Sequence, residues 1–224
     1  DRRGFCLRLG PEADMPMIYR LDAPAREVAR TFGLDAGNDP WPGGTVSAGG
    51  FAPVITMGRE FVAGPRPEKR LPRRMIPRLW GVPPPPQGWD ERRHGILTVR
   101  NLESPFWIGN LRNSEFRCLV PASAFMEWGK VDPRDGKRRQ CWFGASDQPI
   151  FAMAAVWKDS EVPSFALLTT PANAALKAEG RDTMPVILPA DPAAHDLWLR
   201  GDWKRAAELV APYSSSLMTM RVAG

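Results

Sequence analysis

CLVPASAFMEW, residues 118–128, is an apolar run that ends on a lone carboxylate, Glu127, set between Phe125, Met126 and Trp128. Burial disfavours the charged form of an acid, so a carboxylate in such a run needs a partner or sits in a site that uses it for proton transfer. The competing expectation is a half-exposed acid at a strand end, facing water while its neighbours face the core. The run itself belongs to a series of apolar segments that alternate with turn signals, and this series decides the fold.

Strands are expected at residues 116–120, 140–144, 150–157, 165–169 and 217–222, with further strands at 52–57 and 60–63. The polar DPRDGK, residues 132–137, reads as a hairpin loop. A helix opens at Asp22 or Ala23, where Ala25, Val28, Ala29 and Phe32 repeat at helical spacing and Gly33 supplies the stop. Ser104 with Pro105 starts a helix over 106–111. Asp191 with Pro192 caps one reaching Leu199, and Asp202 caps another through Val210. A Gly/Pro-rich loop is expected to about Gly50, and Pro83–Pro86 form an extended polyproline segment. The result is an α+β class of mainly antiparallel strands with peripheral helices; 24 Pro and 20 Gly speak for short strands and many loops rather than a helical bundle.

The 224 residues suit one well-packed domain. Formal net charge is +5, and the surplus is local: the segment 66–100 carries nine Lys/Arg against three Asp/Glu, with Trp80 and Trp89 interleaved. A solvated basic face is the ordinary fate of such a run. Cations beside exposed aromatic faces are also what a groove for a single nucleic-acid strand requires. Cys6, Cys118 and Cys141 cannot all pair within the chain and show no metal-ligand spacing, which fits a reducing cytoplasm. Neither a leader-like apolar stretch nor a membrane-spanning one is apparent.

Six runs in order, MPMIYRL (15–21), WGVPPPP (80–86), TVRN (98–101), CLVPASAFMEW, LLTTPAN (167–173) and MPVILP (184–189), resemble the SRAP family, the SOS-response-associated peptidases. The resemblance covers residues 15–222 and implies a single domain over residues 15–224, leaving residues 1–14 as an N-terminal extension. It implies a barrel-like mixed sheet and recognition of abasic sites in single-stranded DNA. In the family, a cysteine following the initiator methionine traps the sugar aldehyde through its amine and thiol, assisted by a glutamate, an asparagine and a histidine.

Here the glutamate is Glu127. The cysteine position holds Pro16 and the asparagine position Thr98, while the histidine position falls on Gly180 or Arg181. Neither of those shuttles a proton near neutrality. The resemblance thus implies a family member of the DNA-damage response that binds single-stranded DNA at abasic or junction sites, its covalent or peptidase activity lost or altered. Glu127, Pro16 and Thr98 are the candidate catalytic residues. Arg100, Trp80, Asn101 and Arg78 are the candidate DNA contacts, Trp80 as a base-stacking face beside the proline run.

No metal or cofactor is expected, nor a membrane; the setting is a cytoplasmic, nucleoid-associated monomer. Cys118 and Cys141 read as core thiols and Cys6 as the remaining nucleophile candidate. The alternatives are an active abasic-site enzyme using Glu127 with Pro16, Cys6 or water, a peptidase that cuts its own extension, and an unrelated β-protein binding RNA or protein.

Overall fold

Strands buried on both faces organise the chain, seen in a computed structural model that describes residues 18–57, 72–85 and 94–223. In order, these residues form β1 (Ile18–Leu21), α1 (Ala25–Thr31), β2 (Gly44–Ser47), β3 (Phe51–Thr56), β4 (Arg74–Trp80), β5 (Thr98–Val99) and α2 (Ile108–Arg112). Then come β6 (Arg117–Ala122), β7 (Ala124–Val131), β8 (Arg138–Ala145), β9 (Phe151–Lys158), β10 (Ser164–Pro171) and α3 (Ala174–Ala178). The chain closes with β11 (Thr183–Pro185), α4 (Pro192–Arg200), α5 (Trp203–Ala206) and β12 (Met218–Val222).

Two sheets result. One has the order β12-β8-β7-β1-β2, antiparallel throughout. The other runs β11-β10-β4-β3-β6-β9 and closes on itself, because β9 also pairs with β10; β5 joins β10 in parallel. The α+β class and mostly antiparallel sheets are as expected, and the barrel-like element takes the form of this ring of strands.

Period-two alternation feeds two cores from the same strands. Phe151, Met153, Ala155 and Trp157 of β9, with Cys118 and Val120 of β6, enter the core shared with the five-stranded sheet, where they meet Tyr19, Phe125 and Phe143. Ala152, Ala154, Val156 and Leu119 face the other way, onto Val28, Phe32, Trp198 and Leu199 of the helices. A strand with two buried faces reads as a continuous apolar run, which is why residues 150–157 showed no polar alternation. The helical core also contains a cation: Arg117 is fully buried beside the Trp198 and Trp203 rings and donates to the Gly201 carbonyl, and burial lowers its guanidinium to about 10.

Helix ends follow their cap chemistry. Asp191 accepts from Ala193 N–H and Asp202 from Arg205 N–H, as the sequence expects. Gly33, with φ 64°, ends α1.

Several expectations need correction. The supposed loop before Gly50 contains β2, paired with β1. The basic segment contains β4, a strand with Met75, Ile76 and Trp80 buried. Asp202 caps only a short α5, followed by a 3₁₀ turn. MPVILP supplies just the last residues of β11, although Ile187 still bridges to Met153. The expected strand at 60–63, the extension 1–14, Cys6, Pro16, Pro86, Trp89 and much of the basic run lie outside the described residues.

Two outcomes are expected. Trp198→Ala removes a fully buried ring and its bond to the Cys118 carbonyl, so it costs about 3–5 kcal/mol, read from the urea midpoint. His195 in α4 has its pKa lowered by burial and then by Arg73, so the unfolded chain takes up the proton first. Stability from this group is therefore complete above about pH 6.5 and declines below it, and His195→Asn flattens that part of the pH profile.

Candidate functional site

Glu127 sits in the middle of β7 and is 2% exposed, so it is not a strand-end acid facing water. Its cross-strand partner is Cys141 on β8, which puts both side chains on the face carrying Phe125 and Phe143. The charge it needs comes from Arg181: Nε lies 3.0 Å from the Glu127 Oε2, and the arginine side chain is itself 8% exposed.

Local rules deliver Arg181 to that place. Asn173 caps α3, accepting from the Leu176 N–H and donating to the Tyr213 carbonyl. The helix ends in a left-handed Gly180, φ 77°, with Gly180 N–H bonded to the Lys177 carbonyl and Arg181 N–H to the Leu176 carbonyl. This paired closure makes Gly180 the stop and Arg181 the first residue beyond it, directed back onto β7. Of the two residues open at the histidine position, Arg181 is therefore the one that reaches the glutamate.

The turn approaches β7 closely. A Cβ at Gly129 would lie 2.8 Å from the Cys141 Sγ and 3.0 Å from the Glu179 Oε2, so a side chain there would have to displace the thiol or the carboxylate. The Cys141 thiol points to the same carboxylate, Sγ to Oε2 4.0 Å, and burial together with Glu179 pushes its pKa up. Burial raises Cys118 as well. Both thiols are thereby disfavoured as nucleophiles, in keeping with core cysteines.

The other expected residues are not all brought together. Thr98 is buried in β5 opposite Leu167, and Arg100 follows on an exposed turn. Asn101 spends its side-chain oxygen on the Glu103 N–H. Trp80 offers no stacking face: it is 1% exposed, lies parallel to Phe165, contacts Tyr19 edge-on and donates to the Leu97 carbonyl. Arg78 is buried as well, its guanidinium 5.0 Å from the Trp157 ring centroid. Both residues are corrected from DNA contacts to core. Arg73 and Arg74 do line a cleft of about 1320 Å³, but its other charged walls include Asp35, Asp39 and Asp196, and neither Glu127 nor Arg100 borders it. The expected trough of indoles and cations leading to Glu127 is not formed by these residues.

Sequence reading recorded Arg181 as a residue unable to move a proton and missed it as the counter-ion. The signal was present, since an acid in an apolar run demands a cation. What was missing was the cap that turns Arg181 inward.

Chemically the pair is a fixed charge contact. Arginine neither gives nor takes a proton near neutrality, so the pair is not an acid–base relay. Among the described residues, no group of three or more His, Cys, Asp or Glu is placed to hold a metal ion. No helix there is long and apolar enough to cross a membrane.

Breaking the pair from one side deprives a buried charge of this counter-ion, so Glu127→Ala or Arg181→Ala is expected to cost up to about 3–5 kcal/mol in thermal or urea unfolding. The double variant Glu127→Ala with Arg181→Ala is expected to lose clearly less than the sum of the two singles, giving a favourable coupling in the double-mutant cycle.

No curated protein matches this chain. A crystal structure of a protein from Bacteroides thetaiotaomicron superposes with a TM-score of 0.72 at 20% identity, over 93% of this chain and 92% of that one. A protein from Bordetella bronchiseptica gives 0.66 at 19% identity, over 93% and 99%, and a phage-related protein from the same organism gives 0.67 at 17%, over 92% and 93%. These likenesses establish a shared fold. The family profile described as SOS response associated peptidase (SRAP) matches residues 44–223. The chain belongs to the SRAP family, a membership that supports a role related to DNA damage.

Proposed function

We propose that this protein binds single-stranded DNA at abasic or junction sites in the response to DNA damage, and that the covalent or peptidase chemistry of its family is lost or altered. The observation that carries the reading is the Glu127–Arg181 ion pair. Trapping an aldehyde requires a proton to be moved onto the departing oxygen, and a carboxylate engaged by a permanently charged guanidinium has none to give. The resemblance places a threonine, Thr98, where the family carries asparagine, and Pro16, which lies outside the described residues, where it carries the thiol. Removal of one member of a catalytic unit costs most of its rate, and here three are exchanged together.

Binding asks less of the site than catalysis does. β5 runs parallel to β10 and ends at Val99 opposite Leu168, while β11 begins opposite Pro171. Arg100 and the Arg181 turn thus leave the sheet toward the same end of β10. The net charge of +5 adds a general attraction for a phosphate backbone. Arg100 and Asn101 remain the residues assigned to the strand, with the buried Glu127 behind them. A cytoplasmic, nucleoid-associated location and the absence of a cofactor belong to the same reading.

Fluorescence anisotropy with a single-stranded oligonucleotide tests it. Affinity is expected to fall steeply with salt, with a logarithmic slope of about −0.7 per phosphate neutralised; a flat dependence would remove the proposal. A denaturing gel with abasic and intact oligonucleotides side by side is expected to show no protein-shifted band and no cleavage. A band or cleavage product abolished by Glu127→Gln would instead establish an active abasic-site enzyme with a non-standard nucleophile.

A further inference from the structure

The strand β12 ends the five-stranded order, and among the described residues its outer edge has no strand beside it. Its sequence is Met-Thr-Met-Arg-Val, and it pairs with β8 without a bulge from Met218↔Ala145 to Val222↔Cys141. That register puts Met218, Met220 and Val222 on the face that carries Phe143, Cys141 and the core. Phe143 and Cys141 are buried, yet Met220 is 44% and Val222 53% exposed. Thr219 and Arg221 occupy the opposite face. Sheet edges that stay solitary are blunted by short strands, charged side chains, proline, a bulge or an inward charge. β12 has no proline, bulge or inward charge, and its one charged residue, Arg221, lies on the face away from the core.

We propose that β12 is a self-association edge, to which a second copy of this chain adds its own β12 antiparallel about a twofold axis through Met220. The sequence is self-complementary in that register. Met218 stands opposite Val222 of the second copy, Met220 opposite Met220, and Thr219 opposite Arg221. The apolar residues then cover one another on the core face, and the strand's single charge faces a hydroxyl. A pairing centred one residue later sets Arg221 against Arg221, which like-charge repulsion disfavours. Such an interface is isologous and closes as a dimer rather than a fibre.

The same register ties the edge to the candidate site. Glu127, Cys141 and Val222 form one cross-strand row, and Met218 of the second copy extends it. Glu127 is about two strand spacings, about 10 Å, from the edge, so association walls the candidate site on that side. The sequence reading expects a monomer, and the proposal departs from it. It holds whether or not the DNA reading does.

Analytical ultracentrifugation between about 1 and about 200 µM tests it, because an interface of this size is weak, with dissociation in the micromolar range. The protein is expected to pass from monomer to dimer, and Met220→Lys, which opposes two charges on the axis, is expected to weaken association at least about tenfold. Circular dichroism and the melting temperature check that this variant folds. In a Cys6→Ser background, mild oxidation of Met220→Cys is expected to give a disulfide-linked dimer, whereas Thr219→Cys, which does not face itself, is not. A protein that stays monomeric at the highest concentration overturns the proposal. So does a dimer that survives Met220→Lys, or equal cross-linking at positions 219 and 220, which would assign the contact to another surface.

Discussion

The corner at Ser123 is the tightest link between the two sheets, a single residue between β6 and β7, while the chain also passes between them from β2 to β3 and from β8 to β9. β6 lies in the ring between β3 and β9, and one residue later the same chain continues as β7 in the five-stranded sheet. Ser123 N–H donates to the Arg20 carbonyl and its hydroxyl accepts from the Asp22 N–H, so the corner is pinned to the end of β1 from both its backbone and its side chain. Strands that change sheets at a bend let two layers share one core. Here the bend also sets the register of β7. A slip by one residue would carry Phe125 and Glu127 together to the opposite face, exposing the ring and separating the acid from Arg181.

Three arginines of this protein, Arg78, Arg117 and Arg181, are interior residues. Arg78 lies over Trp157, Arg117 lies beside Trp198 and Trp203, and Arg181 holds Glu127. A planar, weakly hydrated guanidinium suits such places better than an ammonium does. The basic composition therefore overstates the charge offered to a polyanion, since several of its cations are committed to rings and carboxylates inside the fold. An electropositive groove read from a list of arginines needs the burial of each one before it means anything.

The family fold persists at low identity because the ring is specified by alternation and volume. Superposition over more than nine-tenths of the chain at about one-fifth identity is what packing patterns permit when individual side chains drift. At the site, Arg181 follows the glycine stop at Gly180 and holds Glu127 in a buried ion pair.

The strands at 116–120, 140–144, 150–157 and 165–169, the hairpin at DPRDGK and the helix caps at Asp191 and Asp202 were legible because each depends on neighbours in sequence: hydrophobic period, turn residues and side-chain oxygens near a helix start. β2 and β4 were not, since β2 is held by its ladder with β1 and β4 hides in a run of arginines whose alternate side chains turn inward. The sequence alone determined that Glu127, in an apolar run, needs a partner. Only the tertiary structure decided that Arg181 is that partner, that Trp80 is core, and that Met220 and Val222 stand uncovered. A residue's partner and exposure are set by segments distant in sequence, here a helix end returning some fifty positions later onto β7, and local spacing carries no record of that meeting.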